Sequence, residues 1–233
     1  MKILSFDTAT METTCAVVED HKVLAAPSIN SRLSHSETLI AMIEEMLASL
    51  DLKMKDLDMI AVGVGPGSFT GLRISVVLAK IFAKTLDIPV VGVSTLAALA
   101  RQVAESGVVA PVFDARRKRV YTAQFKKEGD VLTRLTKDDA VPAEELIDSL
   151  PEGAIIIGEG LSAYGERFKA SDKNFFCYPL SLSQVRAAFI AEEALVQYEK
   201  DGASNPYELE PNYLRPSQAM REYRRKHGQS HDA

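Results

Sequence analysis

Apolar residues fall in two rhythms along this chain, and each change of rhythm marks an element. Residues 2–6 are a short apolar run that stops at Asp7, the mark of a buried strand. Residues 14–18 and 22–26 predict two more strands, joined as a hairpin by the polar turn Asp20-His21-Lys22. From Ser36 to Leu50 the spacing becomes helical, with Leu39, Ile43, Met46, Leu47 and Leu50 on one face. Ser34 and Glu37 have the spacing of a capping box for that helix. Residues 59–64 predict a strand that runs into Gly65-Pro66-Gly67-Ser68-Phe69-Thr70-Gly71-Leu72-Arg73 and a second helix to about Leu86. Proline at 89 requires an extended residue before it and so ends that helix. A strand at 90–93 and a helix at 95–105 follow, with Gly107 as the expected terminator.

The pattern then restarts. Residues 109–113 predict a strand ending at Asp114, as the first ended at Asp7. Strands are expected at 119–125 and 131–135, and a helix at 142–150 with Pro142 in its first turn. An apolar strand at 154–157 ends in Gly158-Glu159-Gly160, an echo of Gly65-Pro66-Gly67. A further helix, a short strand near 175–178 and a long helix at 183–199 complete the series. The interval from Asp114 to Gly158 is shorter than that from Asp7 to Gly65. These repeats predict either an α/β chain of two duplicated domains, 1–108 and 109–220, the second trimmed, or only the strand-and-helix alternation common to any α/β chain. Residues 221–233 are a polar tail with Arg221, Arg224, Arg225 and Lys226, expected to be disordered in isolation.

Composition adds bounds. The chain has 233 residues, 46% hydrophobic and 25% charged, which is ordinary globular usage. The net charge of -5 gives no overall attraction to nucleic acid, so an RNA contact would need a local patch. Two cysteines, Cys15 and Cys177, are too few for a structural zinc site and read as reduced thiols of a cytosolic protein. The opening apolar run is too short for a signal peptide and no stretch is long enough to span a membrane, so a cytoplasmic location is expected.

Candidate chemistry gathers at the strand ends. Asp7 and Thr8, at the carboxyl end of a strand, suit a phosphate and Mg²⁺ site, or they only shape the hairpin turn. The glycine turn fails three tests. Leu72 follows Gly71 where a Walker loop needs lysine, and Thr70 stands where a dinucleotide fingerprint needs glycine. Pro66 and Thr70 flank Ser68 where a nucleophile elbow needs glycines, which leaves a peptidase or serine hydrolase without a nucleophile. What remains is a tight turn with free N–H groups at a helix start, able to bind an anion through Gly65, Gly67 and Ser68 or simply to turn the chain. His35 opens the first helix, but Leu39 stands at i+4 where a helical metal site needs a second ligand. The run Arg116-Arg117-Lys118-Arg119 can meet phosphate or serve as a charged hairpin edge.

The helix after the glycine turn is apolar around most of its circumference, and the helix at 36–50 carries Ile40 and Met42 off its main face. Surplus apolar surface on two adjacent helices favours a subunit interface over helices that only pack against each other and the sheet, with Leu39, Met42, Ile43, Met46, Val77, Lys80, Ile81 and Phe82 as candidate partner-binding residues.

Five segments together carry a resemblance. Ile3 to Thr10, His35-Ser36-Glu37, Gly65 to Arg73, Asp114-Ala115-Arg116 and Glu210-Pro211-Asn212-Tyr213-Leu214-Arg215 are similar, in order, to the TsaB (YeaZ) family. The resemblance implies an actin/Hsp70/sugar-kinase-like (ASKHA) fold built from duplicated ribonuclease H-like domains. It also implies kinship with TsaD, which makes N6-threonylcarbamoyladenosine at position 37 of tRNAs reading ANN codons and holds its metal through His-x-x-x-His. With His35 but Leu39 at the matching positions, the family pattern implies a non-catalytic partner of TsaD, working with TsaE and forming a homodimer when alone. ATP, Mg and the catalytic metal would belong to the partner subunits, and tRNA would be met only through the complex. Asp7, Thr8, Gly65, Gly67 and Ser68 would then be a vestigial phosphate site. The alternative is a free-standing Mg-dependent ATPase or phosphotransferase of the same superfamily.

Overall fold

Alternation along β1 (Lys2–Asp7) decides the first half of the molecule. In the computed structural model, which describes residues 1–30 and 35–215, Leu4 and Phe6 point to one side of a sheet and Ile3 and Ser5 to the other. β1 pairs antiparallel with β2 (Glu12–Glu19) and parallel with β5 (Met59–Gly65), which pairs parallel with β6 (Val90–Ser94). β3 (Lys22–Ala25) and β4 (Ser28–Asn30) both pair with β2, giving the order β3-β2-β1-β5-β6. α1 (His35–Ser49) and α2 (Phe69–Leu86) cover the Leu4–Phe6 face. α3 (Thr95–Arg101) lies on the other. The Ser34 part of the expected capping box and the 221–233 tail lie outside the described residues.

The second half repeats the plan. β7 (Gly107–Asp114) is central, pairing parallel with β12 (Ile155–Ile157), which pairs with β13 (Phe176–Cys177). α4 (Ala143–Ser149) and α5 (Leu161–Lys169) pack on one face around Phe168. The expected single strand at 119–125 is two strands, β8 (Arg119–Thr122) and β9 (Phe125–Glu128). β8 pairs with the end of β7 and β9 with its beginning, and the chain breaks between them where the Gln124 N–H turns to Thr136 Oγ1. β10 (Val131–Arg134) continues from β9. β11 (Asp139–Pro142), which the sequence pattern does not announce, pairs with β8, and Pro142 serves as both its last residue and the N-cap of α4.

Two further differences have a local cause. α3 stops at Arg101, because Val103 turns into the core. Gly107 therefore ends no helix; it opens β7 at φ 152°, a conformation other residues rarely adopt.

The last described helix, α6 (Ala187–Asp201), returns to the first sheet, where Ser5 Oγ donates to the Ala187 carbonyl at 2.7 Å. Ile190, Ala191 and Ala194 join α3 and Ile3 in a core shared by both sheets. The chain then runs as a strap along the first half: the Ser204 N–H bonds Val90 O, Leu209 is buried beside Val90, and the Asn212 N–H bonds Val64 O at 2.7 Å. α6 and the strap to Arg215 thus follow the second half in sequence but pack against the first sheet as well. Cys15 and Cys177 are free and lie in different sheets. Among the described residues no helix is long and apolar enough to cross a membrane.

Candidate functional site

A cleft of about 380 Å³ opens where the two halves face each other. The ends of β1 and β7 supply opposite walls, because parallel strands of a duplicated fold deliver their carboxyl ends to the same edge. Ala9, Thr10, Gly67 and Ser68 come from one side, Phe113, Asp114, Arg116 and Glu159 from the other.

Asp7 does not reach this cleft. It is 1% exposed; its Oδ1 accepts from the Ala9 N–H at 2.5 Å and its Oδ2 from Thr95 Oγ1 at 2.8 Å. A Cβ on Gly63 would sit 1.6 Å from Oδ2, so the strand itself walls the carboxylate in. Thr8 is buried too, its Oγ1 donating to the Gly71 carbonyl. The Gly65 N–H goes to Thr95 Oγ1, the Ser68 N–H to Ala9 O, the Gly71 N–H to Ser68 Oγ and the Leu72 N–H to Ser68 O. Of the five expected phosphate-site residues only Gly67 and Ser68 line the cleft, and Ser68 is occupied as the N-cap of α2. The glycines answer another need: a Cβ on Gly67 would meet Ala9 O at 2.3 Å, so the turn lies directly on the β1–β2 backbone. The residues present do not fit a hydrated Mg²⁺ and phosphate at Asp7.

Burial pushes the Asp7 carboxyl up to about 6, against the two hydrogen bonds that favour its charged form. A folded-state pKa above the unfolded value means that folded protein holds the proton more tightly. Asp7 therefore costs nothing below about pH 4, costs progressively more as pH rises through 6, and costs most above it, by about 3 kcal/mol. Asp7→Asn is expected to raise stability at pH 7 by about 1–3 kcal/mol and to give no gain at pH 4, measured by urea unfolding across that range.

The other strand end is more open. Asp114 Oδ1 accepts from the Arg116 N–H and from Tyr164 Oη, and Arg116 pairs with Oδ2 at 3.3 Å. Burial first, then Asp114, raises the Glu159 carboxyl, while Arg116 and the Met11 N–H oppose the shift. His35 lies on the rim with Nδ1 2.8 Å from Thr13 Oγ1, and burial lowers its pKa. Leu39, one turn on, is 0% exposed and part of the core. Among the described residues no three His, Cys, Asp or Glu side chains come together to hold a metal.

The strap closes one end of the cleft. Tyr213 stacks on Phe69 with ring centroids 4.4 Å apart, and Arg73 lies over the Phe69 ring and donates to Tyr213 Oη. Asn212 Nδ2 and Ser94 Oγ both donate to Asp138 Oδ2, and Arg215 donates to the Ala115 carbonyl. The segment Glu210–Arg215 thus ties the first sheet to the second half. No local periodicity announces this role; its polar pattern reads as loop.

The outer face of α1 and α2 divides the expected partner-binding residues. Leu39, Met42, Ile43 and Met46 are 0–5% exposed and form the core beneath α1, so they are not surface. Phe82 is half-buried, edge-to-face with Phe6 at 6.3 Å, and Lys80 reaches back to the Tyr207 carbonyl. Val77 at 54% and Ile81 at 53% remain, one turn apart on α2, with Ile40 of α1 also exposed. α1 turns its richer apolar face inward because the sheet must be covered.

The family model for TsaD, tRNA N6-adenosine threonylcarbamoyltransferase, matches residues 25–223. The tRNA threonylcarbamoyladenosine biosynthesis protein TsaB of Bacillus subtilis (strain 168) is 30% identical over 225 residues, covering 94% of this chain and 96% of its own length. The chain belongs to the TsaB family. The TsaB of Haemophilus influenzae is 29% identical over 92% of this chain and 94% of its own. Among solved structures, YeaZ from Pseudomonas aeruginosa superposes with a TM-score of 0.79 at 25% identity, over 91% of this chain and 99% of its own. Component A of (R)-2-hydroxyglutaryl-CoA dehydratase from Acidaminococcus fermentans shares the fold at a TM-score of 0.50 and 10% identity, over 86% of this chain and 98% of that one. The fold of this TsaB-family chain is the expected α/β class, with two sheets, and it is shared with YeaZ.

Proposed function

We propose that this chain is a non-catalytic partner subunit that docks on a TsaD-type protein and supports N6-threonylcarbamoylation of adenosine 37 in tRNAs reading ANN codons. The observation that carries the reading is the exposed pair Val77 and Ile81 on α2, with Ile40 exposed on α1, apolar side chains that the described residues leave open to solvent. The engaged glycine turn and the walled-in Asp7 support a role other than nucleotide chemistry. In this reading the chain is cytoplasmic, TsaE joins the assembly, ATP, Mg and the catalytic metal are held by partners, and tRNA is met through the complex. Without TsaD the same stripe pairs with itself around a two-fold axis, as a self-complementary patch does.

The test is product formation on tRNA in a mixture of TsaD, TsaE, ATP and threonylcarbamoyl-adenylate, with and without this chain, and in a parallel mixture lacking TsaD. Product only when TsaD and this chain are both present is the expected outcome. Product without TsaD would make this chain a catalyst. Equal product with and without this chain would remove the partner role and favour a free-standing ATPase or phosphotransferase.

A further inference from the structure

The two helices of the outer layer divide their charge between them. α1 carries Glu37, Glu44 and Glu45 and no Lys or Arg within its bounds. α2 carries Arg73, Lys80 and Lys84 and no Asp or Glu. Helical spacing sets these charges beside the exposed apolar residues. Glu37 and Glu44 stand one turn either side of Ile40, and each cation of α2 stands one turn from Val77 or Ile81.

These charges do not answer one another inside the chain. Among the described residues no cation lies within ion-pair distance of Glu37, Glu44 or Glu45, and no carboxylate lies within it of Arg73, Lys80 or Lys84. The cations are held instead by neutral groups. Arg73 donates to Tyr213 Oη and lies over the Phe69 ring, Lys80 reaches the Tyr207 carbonyl at 3.5 Å, and Lys84 donates to Tyr207 Oη at 2.7 Å. Their side chains are positioned while their charge stays open, which lowers the entropy lost on pairing with a partner.

Two such layers can stack face to face with unlike helices opposed or with like helices opposed. The first brings carboxylates against cations on both sides of an apolar centre; the second brings like charges together. We infer that the sorting of charge between α1 and α2 selects the docking partner and its orientation: a TsaD-type protein whose own helix pair is sorted in the same way, its basic helix over α1 and its acidic helix over α2. The inference rests on the docking face proposed above and adds the residues that discriminate between partners, by attraction in one orientation and repulsion in the other.

In the experiment the full chain is titrated into a TsaD-type protein by calorimetry at low and high salt, and its self-association is followed by sedimentation. The variants are Glu44→Lys/Glu45→Lys, Lys80→Glu/Lys84→Glu, and the four substitutions together, each with a melting curve. The α1 pair has no charged partner among the described residues, so it reads docking even if loss of the Tyr207 contacts disturbs the α2 pair. Each pair is expected to weaken binding to the TsaD-type protein by roughly tenfold or more at low salt, and by less as salt screens the contacts. The four-fold variant is expected to associate with itself as the wild type does, because both helices reverse together, yet to stay a poor partner for the TsaD-type protein. Ile81→Asp, run alongside, separates the two readings. Lost binding in Ile81→Asp with both pairs at wild-type affinity would overturn the charge assignment and leave the docking face standing. Wild-type affinity in every variant would overturn both. Self-association of the four-fold variant no stronger than that of either pair would overturn the opposition of unlike helices.

Discussion

Ile81→Asp leaves the chain folded and removes its association with a TsaD-type partner. Ile81 is 53% exposed, so the free protein loses almost no packing and the new carboxylate stays in water. Within a docked interface the same carboxylate is desolvated against an apolar surface without a counter-charge, which costs several kcal/mol. The expected loss is about 100-fold or more in Kd, roughly 3 kcal/mol. Titration calorimetry with the partner, beside a melting curve that matches wild type, reads both halves of the result. Val77→Asp, one turn away and equally exposed, should behave alike. Phe82→Asp is the contrasting case. Its ring packs on Phe6, so the substitution destabilises the fold and any lost binding is indirect. Unchanged affinity in Ile81→Asp and Val77→Asp would move the docking surface elsewhere.

Leu39→Ala produces the largest loss of stability among the residues that the sequence marks for partner contact. Leu39 is 0% exposed in the core between α1 and the first sheet, with Leu4, Phe6, Cys15 and Val17. Truncating a fully buried leucine costs about 2–5 kcal/mol, the lost transfer energy plus the cavity left behind. For a chain of this size that corresponds to a fall of roughly 5–15 °C in Tm. Denaturant unfolding of the isolated chain measures it without any partner. A Leu39→Ala protein as stable as wild type would mean that α1 is docked loosely and that its apolar face is available after all.

These two substitutions sit on helices that look alike in sequence, and their difference shows where local pattern stops. Period-2 and period-3.6 spacing locate β1, α1, β5, α2 and most later elements, because side-chain direction follows from backbone geometry within a few residues. The repeat of a strand ending in aspartate, followed later by a glycine turn, is likewise written in the chain and announces two similar halves. The five matching segments point to the family, and the glycine at 67 has a physical cause, since its close backbone approach leaves no room for a Cβ.

What spacing cannot tell is which distant segment covers a given face. Asp7 reads as an open carboxylate until Gly63 and Thr95 close over it. One stretch becomes β8 and β9 only because β7 is long enough to pair with both. Glu12 is unremarkable in sequence, and its burial at the start of β2, opposite Asn30 of β4, follows only from the pairing of distant strands. The strap at 202–215 has no periodicity because its partners lie on other elements; it is held by Val90, Val64, Phe69, Asp138 and Ala115. By itself the sequence determined most of the elements, the repeated order of strand and glycine turn, and the family. The tertiary structure alone decided which apolar and charged groups remain at the surface, because burial depends on long-range packing and the spacing of residues along the chain does not encode it.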